Sequence, residues 1–221
     1  MKEKLTLVLV GNENTKEAQS ALKKCGWCEF RVDEFLKRKE EKELAKWLSL
    51  KTTAKKIGTV RRQKEHQGTG LAVSEKKRAE IYKDILEYVN YVDVEIKSSI
   101  AEQVIKEARR KKRGVIVSYH NFSKTPSRKS LEVIYKKGKK LNPDIIKIAA
   151  KVNKADELFT LLAFTHKYSK KFPLVIAPMG VSFAERIIPL YLGSAFTYIA
   201  LTAKTASGQI IYNDLLKYCL I

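Results

Sequence analysis

The sequence predicts a single-domain (β/α)8 TIM barrel of the α/β class over residues 1–221. Three observations support this prediction. Eight strand-like runs recur along the chain, helix-like stretches separate them, and no linker rich in proline, glycine or serine interrupts the series. Successive runs are roughly 20 to 30 residues apart, about one βα unit each. The predicted strands are Leu5–Val10, Glu29–Asp33, Lys56–Arg62, Tyr91–Ile96, Gly114–His120, Ile145–Ala150, Leu174–Met179 and Thr197–Thr202.

The stretches between the strands have the periodicity of helices that are apolar on one side. In the stretch after the third strand, Ile81, Ile85 and Val89 fall four residues apart and therefore on one face. The clearest predicted helices are Lys76–Val89, Ser99–Arg110 and Asp156–Tyr168. An open flavodoxin-like sheet with an appended helix is the structural alternative. The glycine-rich phosphate-binding motifs are absent, which argues against nucleotide-binding versions of that fold.

The fifth and sixth strands carry the two residues on which the functional interpretation is built. The run 114–120 is apolar on both faces, as in a buried parallel strand, and ends at His120. The run 144–150 is also apolar but has Lys147 in its middle. Burial removes water from an ammonium group and lowers its pKa, which favours the neutral, nucleophilic amine. We therefore expect His120 and Lys147 to act as a pair.

Composition indicates a globular, cytoplasmic protein. Hydrophobic residues make up 44% of the chain and charged residues 31%, proportions that exclude a disordered chain. No apolar run approaches the roughly 20 residues of a membrane helix. The apolar run that begins at Leu5 is short and has no Ala-x-Ala cleavage site after it, so we interpret it as a first strand rather than a signal peptide.

The formal net charge of +20 raises the question of a nucleic-acid partner. The lysines are spread along nearly every polar segment and alternate with glutamate, which is typical of solvated helix faces and of proteins from hot environments. The sequence therefore predicts no nucleic-acid and no membrane partner. A positive field would instead attract a small anionic substrate.

Cys25 and Cys28 have the spacing of a redox pair or half of a zinc site, and Cys219 lies far along the chain. No second cysteine pair or local histidine pair completes a zinc site. Redox chemistry would require the motif to lie at the start of a helix, but here the motif leads into a predicted strand. We therefore predict buried, chemically inert thiols and no metal.

Polar residues gather at the predicted strand ends, where barrels of this type place their active sites. Each has an ordinary structural explanation: His120 can be a structural histidine, Lys147 can extend its ammonium to water, and the arginines can form ion pairs. Together they indicate a positively charged pocket at one end of an apolar barrel. The residues concerned are Glu29, Arg31, Arg61, Glu65, Asp93, Glu95, His120, Lys147, Arg186, Thr205 and Gln209.

Imine chemistry suits such a pocket and requires no cofactor. The amine of Lys147 would condense with a ketone or aldehyde, and the iminium would acidify the neighbouring C–H. His120 could then remove that proton and deliver it to a departing hydroxyl, with Glu65 holding the imidazole in the required tautomer. Arginines offer paired donors to a substrate carboxylate.

At these positions the sequence resembles the type I 3-dehydroquinate dehydratase family over essentially the whole chain. The most specific match is Ser118–Pro126, Ser-Tyr-His-Asn-Phe-Ser-Lys-Thr-Pro, which is close to the family's Ser-Tyr-His-Asp-Phe-x-x-Thr-Pro. The other similar segments are Glu29–Asp33, Thr59–Arg61 followed by Glu65 and Gly68, Val92–Glu95, Ile146–Ala149, Met179–Gly180 with Arg186, Gly193–Ser194 and Ala206–Leu215.

The resemblance implies a barrel, often a homodimer, that dehydrates 3-dehydroquinate to 3-dehydroshikimate by syn elimination in the shikimate pathway. Lys147 would form the imine at C3, His120 would move the C2 proton to the C1 hydroxyl, and Glu65 would orient His120. The substrate-binding residues would be Glu29, Arg31 and Arg61 around the ring, and Arg186, Thr205 and Gln209 at the carboxylate end.

The chain departs from the family pattern in three places that spare the His–Lys pair. Asn121 replaces aspartate, Ser207 replaces proline, and the segment before Arg186 is one residue shorter. A class I aldolase-type barrel would share the buried lysine, and a basic nucleic-acid-binding protein would need clustered cations. The carboxylate-binding residues and the Ser-Tyr-His motif favour the dehydratase.

Overall fold

The computed structural model describes residues 1–66, 70–202 and 204–217. Each of the eight predicted strands is found, and a short ninth strand pairs with the eighth to complete a curled, all-parallel sheet. The strands are β1 (Leu5–Leu9), β2 (Trp27–Arg31), β3 (Lys55–Thr59), β4 (Tyr91–Glu95), β5 (Gly114–Asn121), β6 (Ile145–Lys151), β7 (Leu174–Met179), β8 (Thr197–Ala200) and β9 (Ile210–Ile211).

Helices cover the outside of the sheet, and the three that periodicity predicted are present with shifted ends. The helices are α1 (Thr15–Leu22), α2 (Val32–Lys37), α3 (Glu41–Leu48), α4 (Glu75–Ile85), α5 (Ala101–Arg110), α6 (Arg128–Lys140), α7 (Ala155–Tyr168), α8 (Phe183–Tyr191) and α9 (Tyr212–Lys217). None of the described helices is long and apolar enough to cross a membrane.

Five strands, β1, β2, β3, β4 and β8, end one to three residues earlier than predicted. In β2 and β3 the residues at the end of the strand bond to side chains. β2 stops at Arg31, whose guanidinium reaches back to Asp33 in the first turn of α2. β3 stops at Thr59, since the N–H of Val60 donates to the hydroxyl of Tyr82 and its carbonyl accepts from Arg78, both on α4. The chain leaves the sheet after each of these strands, and Arg31 and Arg61 lie at the mouth of the barrel.

The sheet runs in the order β7-β6-β5-β4-β3-β2-β1-β8-β9 and curls until β7 meets β8. No ladder joins these two strands in the part of the chain that the structure describes. The N–H of Ala195 donates to the carbonyl of Leu174 at 2.8 Å, and the hydroxyl of Ser194 links the N–H of Ile176 to the carbonyl of Phe196. We call this junction the β7–β8 seam.

The apolar core has two main clusters and a small third one. The largest lies between the sheet and the helices, and the second fills the interior of the barrel with residues such as Val8, Ile57 and Ile116. The third, Ala149, Ala177 and Met179, lies at a pocket toward the carboxyl ends of the strands, where the other buried inward residues are mostly charged. A buried charge is costly unless it is paired, so this end of the barrel has to supply partners.

Candidate active site

The carboxyl ends of the strands surround one pocket, and the structure brings all nine predicted site residues to its wall. They are Glu29, Arg31, Arg61, Glu65, His120, Lys147, Arg186, Thr205 and Gln209. Parallel strands end at the same edge of a barrel, which explains why residues so distant in sequence meet here. The location of these residues agrees with the prediction; their chemical roles stay predictions.

Lys147 points into the pocket from β6 between two acidic residues. Its Nζ donates to Oδ2 of Asp93 at 2.9 Å and lies 3.6 Å from Oε1 of Glu29. The ring of Tyr198 lies beneath it, with the ring centre 4.2 Å from Nζ. The sequence prediction considered only the burial of Lys147. The structure adds two carboxylates beside Nζ, which can stabilise a positive charge that forms on this nitrogen.

Asp93 is the centre of a buried network under the pocket. Its Oδ1 accepts from Nη1 of Arg61 at 3.1 Å and from the hydroxyl of Ser118 at 2.6 Å. Burial alone would raise the pKa of Asp93, but the charges of Arg61 and Lys147 outweigh it and hold that pKa below its usual range. Asp93 is therefore ionised at neutral pH and fixes the position of Nζ from below.

His120 faces the pocket from the end of β5, and its side chain is only 8% exposed. Burial, with the nearby charges of Arg61 and Lys147, lowers its pKa well below the ordinary value, so the imidazole is neutral at pH 7. Nδ1 lies 3.3 Å from Oε2 of Glu65. A carboxylate there accepts a hydrogen bond from Nδ1–H, which leaves Nε2 unprotonated and free to act as a base.

Glu65 ends a short 3-10 turn, Gln63–Glu65, that follows β3. Burial and the neighbouring Glu95 raise the pKa of its carboxyl to about 6. Glu65 is therefore largely ionised at neutral pH but takes up a proton in mildly acidic solution. The accompanying Gly68 of the sequence motif lies outside the described residues.

Arg186 is a buried cation without a carboxylate partner among the described residues. It lies in the first turn of α8, which begins at the capping box of Ser182 and Glu185, and it is 2% exposed. Its Nη1 donates to the carbonyl of Pro178, whereas its Nε has no partner. Burial lowers its pKa to about 10. An unpaired guanidinium in a pocket is suited to bind an anionic ligand.

Thr205 and Gln209 lie in the loop between β8 and β9 and line the same pocket as Arg186. Oε1 of Gln209 accepts from the backbone N–H of Thr205 at 2.7 Å and from its hydroxyl at 3.1 Å, so the two side chains lie together. Gly208 has φ +72°, and a β-carbon there would lie 2.6 Å from the carbonyl oxygen of Val181. Only glycine lets the loop approach the residues that follow β7.

Glu29 and Arg31 point inward from β2, as their alternation predicts, but Arg31 and Arg61 already have partners. Arg31 forms a two-pronged pair with Asp33 at 3.1 and 2.6 Å. Arg61 divides its Nη1 among Asp93, Glu95 and Ser118. Both arginines therefore build the pocket wall, and a ligand would meet donors that are already engaged.

The structure adds two pocket residues that were absent from the predicted set, Tyr198 and His66. It also shows that Asp93, one of the predicted strand-end residues, contacts Lys147. The hydroxyl of Tyr198 is buried and has no hydrogen-bond partner in the described part of the chain. The sequence gives no signal for Tyr198, because it resembles the apolar residues around it in β8.

Cys25 and Cys28 are buried free thiols, as predicted. Burial raises the pKa of each to about 12, which makes both unreactive. Cys219 lies outside the described residues. Among the residues that the structure describes, one group of possible metal ligands exists, since atoms of Asp33, Glu34 and His66 lie within 4.8 Å of one another. Arg31 and Arg38 contact the same carboxylates and would oppose a cation.

Comparison with known proteins gives a consistent result. The sequence model described as type I 3-dehydroquinase matches residues 8–219. The chain is 32% identical over 213 residues to a 3-dehydroquinate dehydratase of Thermodesulfovibrio yellowstonii, covering 96% of this chain and 92% of that protein. It is 38% identical over 151 residues to a 3-dehydroquinate dehydratase of Thermococcus onnurineus, covering 67% and 68% of the two chains.

Solved structures agree with these relatives. A type I 3-dehydroquinate dehydratase from Clostridium difficile, crystallised with covalent modified comenic acid, superposes with a TM-score of 0.82 at 26% identity, covering 97% of this chain and 89% of that one. A 3-dehydroquinate dehydratase from Geobacillus kaustophilus shares the fold with a TM-score of 0.85 at 20% identity, covering 97% and 88%. Sequence and structure comparisons thus lead to one set of proteins.

Proposed function

Because the chain belongs to the type I 3-dehydroquinase family, we propose that it dehydrates 3-dehydroquinate through an imine on Lys147. The product would be 3-dehydroshikimate, and the step would be the third of the shikimate pathway toward aromatic amino acids. We further propose one catalytic domain over residues 1–221, located in the cytoplasm and assembled as a homodimer without a cofactor. The observation that carries the proposal is the placement of Lys147 Nζ in the same pocket as the neutral His120.

The first step forms the imine. Nζ of Lys147 loses a proton, attacks the C3 ketone, and the carbinolamine loses water to give an iminium. The proton passes to solvent, and the ionised Asp93, whose Oδ2 lies 2.9 Å from Nζ, stabilises the iminium charge. Tyr198 supports the same charge through its ring face.

The second step is the elimination. Nε2 of His120 removes a proton from C2, the electrons pass into the iminium, and the resulting enamine expels the C1 hydroxyl, which takes the proton from His120 and leaves as water. Hydrolysis of the product imine consumes one water and frees Lys147. The balance over the cycle is the loss of one water from the substrate.

The carboxylate on C1 needs a cationic partner, and Arg186 supports that part of the proposal. Its guanidinium is buried, its Nε is unpaired, and Gln209 lies in the same pocket. An aldolase-type reaction would also use Lys147, but an uncharged aldol substrate would leave Arg186 buried without an anion. That cost favours a carboxylate substrate.

We test the imine by adding borohydride during turnover of 3-dehydroquinate and locating the modified peptide by mass spectrometry. A reduced adduct on Lys147 supports the proposal. Turnover without any trapped lysine contradicts it. An adduct that forms with small aldehydes or ketones, in a protein that does not turn over 3-dehydroquinate, would favour the aldolase-type alternative.

We expect Arg186→Met to raise KM for 3-dehydroquinate about 30- to 150-fold, because a charge-assisted carboxylate contact contributes about 2 to 3 kcal/mol. Steady-state kinetics gives KM and kcat, and thermal unfolding checks the fold. Arg186→Lys is the matched control, because it keeps the charge but lacks the paired donors. Its KM should lie between the values of the wild-type protein and of Arg186→Met. An unchanged KM in Arg186→Met would remove Arg186 from substrate binding.

We expect kcat to fall as pH drops below about 6, the pKa to which Glu65 is raised. Above that pH the Glu65 carboxylate accepts from Nδ1 of His120 and leaves Nε2 free. Below it the protonated carboxyl donates to Nδ1, and the proton of the neutral imidazole moves to Nε2, so the base is lost. Initial rates measured over about pH 5 to 8 give this profile. Glu65→Gln has no such ionisation, and an identical acid limb in that variant would contradict the assignment.

A further inference from the structure

The fold gathers lysines that are dispersed along the sequence. In a parallel barrel every helix returns toward the amino-terminal ends of the strands, so the last turn of each helix and the following loop lie at the end opposite the active site. We call this the basic end. It comprises residues 1–4, 19–26, 45–54, 82–90, 107–113, 137–144, 165–173 and 188–196.

The basic end holds most of the net charge of the protein. These segments contain 18 lysines and arginines and 5 acidic residues, a net charge of +13 out of the +20 of the whole chain. Nearly all of the basic side chains are exposed. The rest of the chain, including the active site, therefore carries only +7. Attraction of an anionic substrate to the pocket does not explain a charge placed at the other end.

The charge is densest under three adjacent strands. β5, β6 and β7 are neighbours in the sheet, and the segments that lead into them are 107–113, 137–144 and 165–173. We call these segments the basic arc. The arc has 11 basic residues, and its two acids, Glu107 and Asp144, are each paired with an arginine of the arc. Two more cations of the arc pair with acids outside it, Lys111 with Glu87 and Lys167 with Glu132 at 3.7 Å. The other seven, which include Lys137, Lys140, Lys170 and Lys171, have no ion pair with a described carboxylate and lie on one surface.

Helix dipoles account for only part of this pattern. A cation in the last turn of a helix gains about 0.3 to 1 kcal/mol from the negative end of the dipole. That effect would distribute lysines over all helices, yet α8 has no basic residue in its last turn. The dipole effect also stops at the end of the helix, whereas the basic residues continue beyond α5 at residues 111–113 and beyond α7 at residues 170–171.

We propose that the basic arc binds the phosphate backbone of nucleic acid without sequence preference. A row of exposed cations neutralises regularly spaced phosphates and releases their counterions, which supplies the affinity of non-specific binding. Binding to a lipid surface usually needs exposed apolar side chains as well. In the arc, as far as the structure describes it, no large apolar side chain is exposed. The arc thus fits a polyphosphate strand better than a bilayer.

The test compares two variants with the same loss of charge. The arc variant replaces Lys137, Lys140, Lys170 and Lys171 by glutamine. The control variant replaces Lys76, Lys124, Lys129 and Lys154, which are exposed near the other end of the barrel, also by glutamine. Thermal unfolding and dehydratase turnover verify that both variants fold. Because the net charge is the same in both, any difference between them reports the location of the charge.

The probe is a fluorescein-labelled single-stranded RNA of mixed sequence, with binding followed by anisotropy between about 50 and 200 mM salt. We expect the wild-type protein and the control variant to bind within twofold of each other. The arc variant should bind at least about tenfold more weakly, and its slope of log K against log salt should be smaller by up to about 3, since each lost phosphate contact removes roughly 0.7.

Three results would overturn the proposal. One is the absence of RNA binding by the wild-type protein at the lowest salt. Another is an equal loss of affinity in both variants, which would mean that binding follows net charge and not the arc. The third is arc-dependent binding to vesicles of phosphatidylserine and phosphatidylcholine but not to RNA, which would assign the surface to membranes. Because the arc is remote from the pocket, none of these results bears on the dehydratase proposal.

Discussion

Lys147→Ala should lower kcat for 3-dehydroquinate by at least about 10⁴-fold, because no other group in the pocket can form the imine. Borohydride trapping should disappear with the activity. The fold should persist, since Asp93 keeps its bonds to Arg61 and Ser118 when Lys147 is shortened. Lys147→Met serves as a second variant that preserves the side-chain volume.

Lys151→Ala is the matched control for that experiment. Lys151 ends the same strand, β6, but does not line the pocket. We expect the Lys151→Ala protein to retain both turnover and trapping. Turnover in the Lys147 variants at more than a hundredth of the wild-type rate would refute the imine on Lys147, since the loss would then be far below the predicted 10⁴-fold.

His120→Ala should slow the dehydration by about 10²- to 10⁴-fold, the range that a positioned base contributes. The effect should fall on the elimination and spare imine formation, because Lys147 and Asp93 are unchanged. We therefore expect borohydride to trap substrate on Lys147 in this variant, and the adduct to survive longer than in the wild-type protein. Rapid-quench mass spectrometry measures both the amount of adduct and its lifetime.

His66→Ala is the informative comparison, because His66 also lines the pocket. Its Nε2 lies 2.6 Å from Oε1 of Glu34, so that nitrogen is already engaged away from the substrate. We expect the loss in His66→Ala to be much smaller than in His120→Ala. If the two effects were reversed, His66 would be the base. If His120→Ala abolished trapping, His120 would act in imine formation instead.

Sequence patterns predicted the eight strands because runs rich in β-forming residues recur with helical stretches between them, and several of these runs are apolar on both faces. This signal survives shifts of one to three residues at the strand ends. The patterns also predicted the members of the pocket, because parallel strands bring their carboxyl ends together. His120 and Lys147 stand out at a strand end and in an apolar run. Arg186, Thr205 and Gln209 were noted after the last two predicted strands and received their roles through the family resemblance, and the structure brings them to the same pocket.

The remaining features depend on three-dimensional relations that a linear pattern does not contain. The engagement of Arg61 with Asp93, Glu95 and Ser118 depends on the stagger of three strands. The role of Tyr198 depends on which layer of the interior it occupies beside Lys147. The short β9 has only two residues, too few for an alternating pattern. The basic arc was missed because its cations are far apart in sequence and meet only through the return of the helices.

The β7–β8 seam has a mechanical consequence. Arg186 lies on the helix that follows β7, and Gln209 lies on the loop that follows β8. The two residues therefore belong to the two sides of the β7–β8 seam, where no strand ladder forms among the described residues. A carboxylate bound by both residues would link β7 to β8 and stabilise this junction of the barrel. Amide protons along β7 and β8 should then exchange more slowly when a carboxylate ligand is bound, whereas those of β3 and β4 should be indifferent to it.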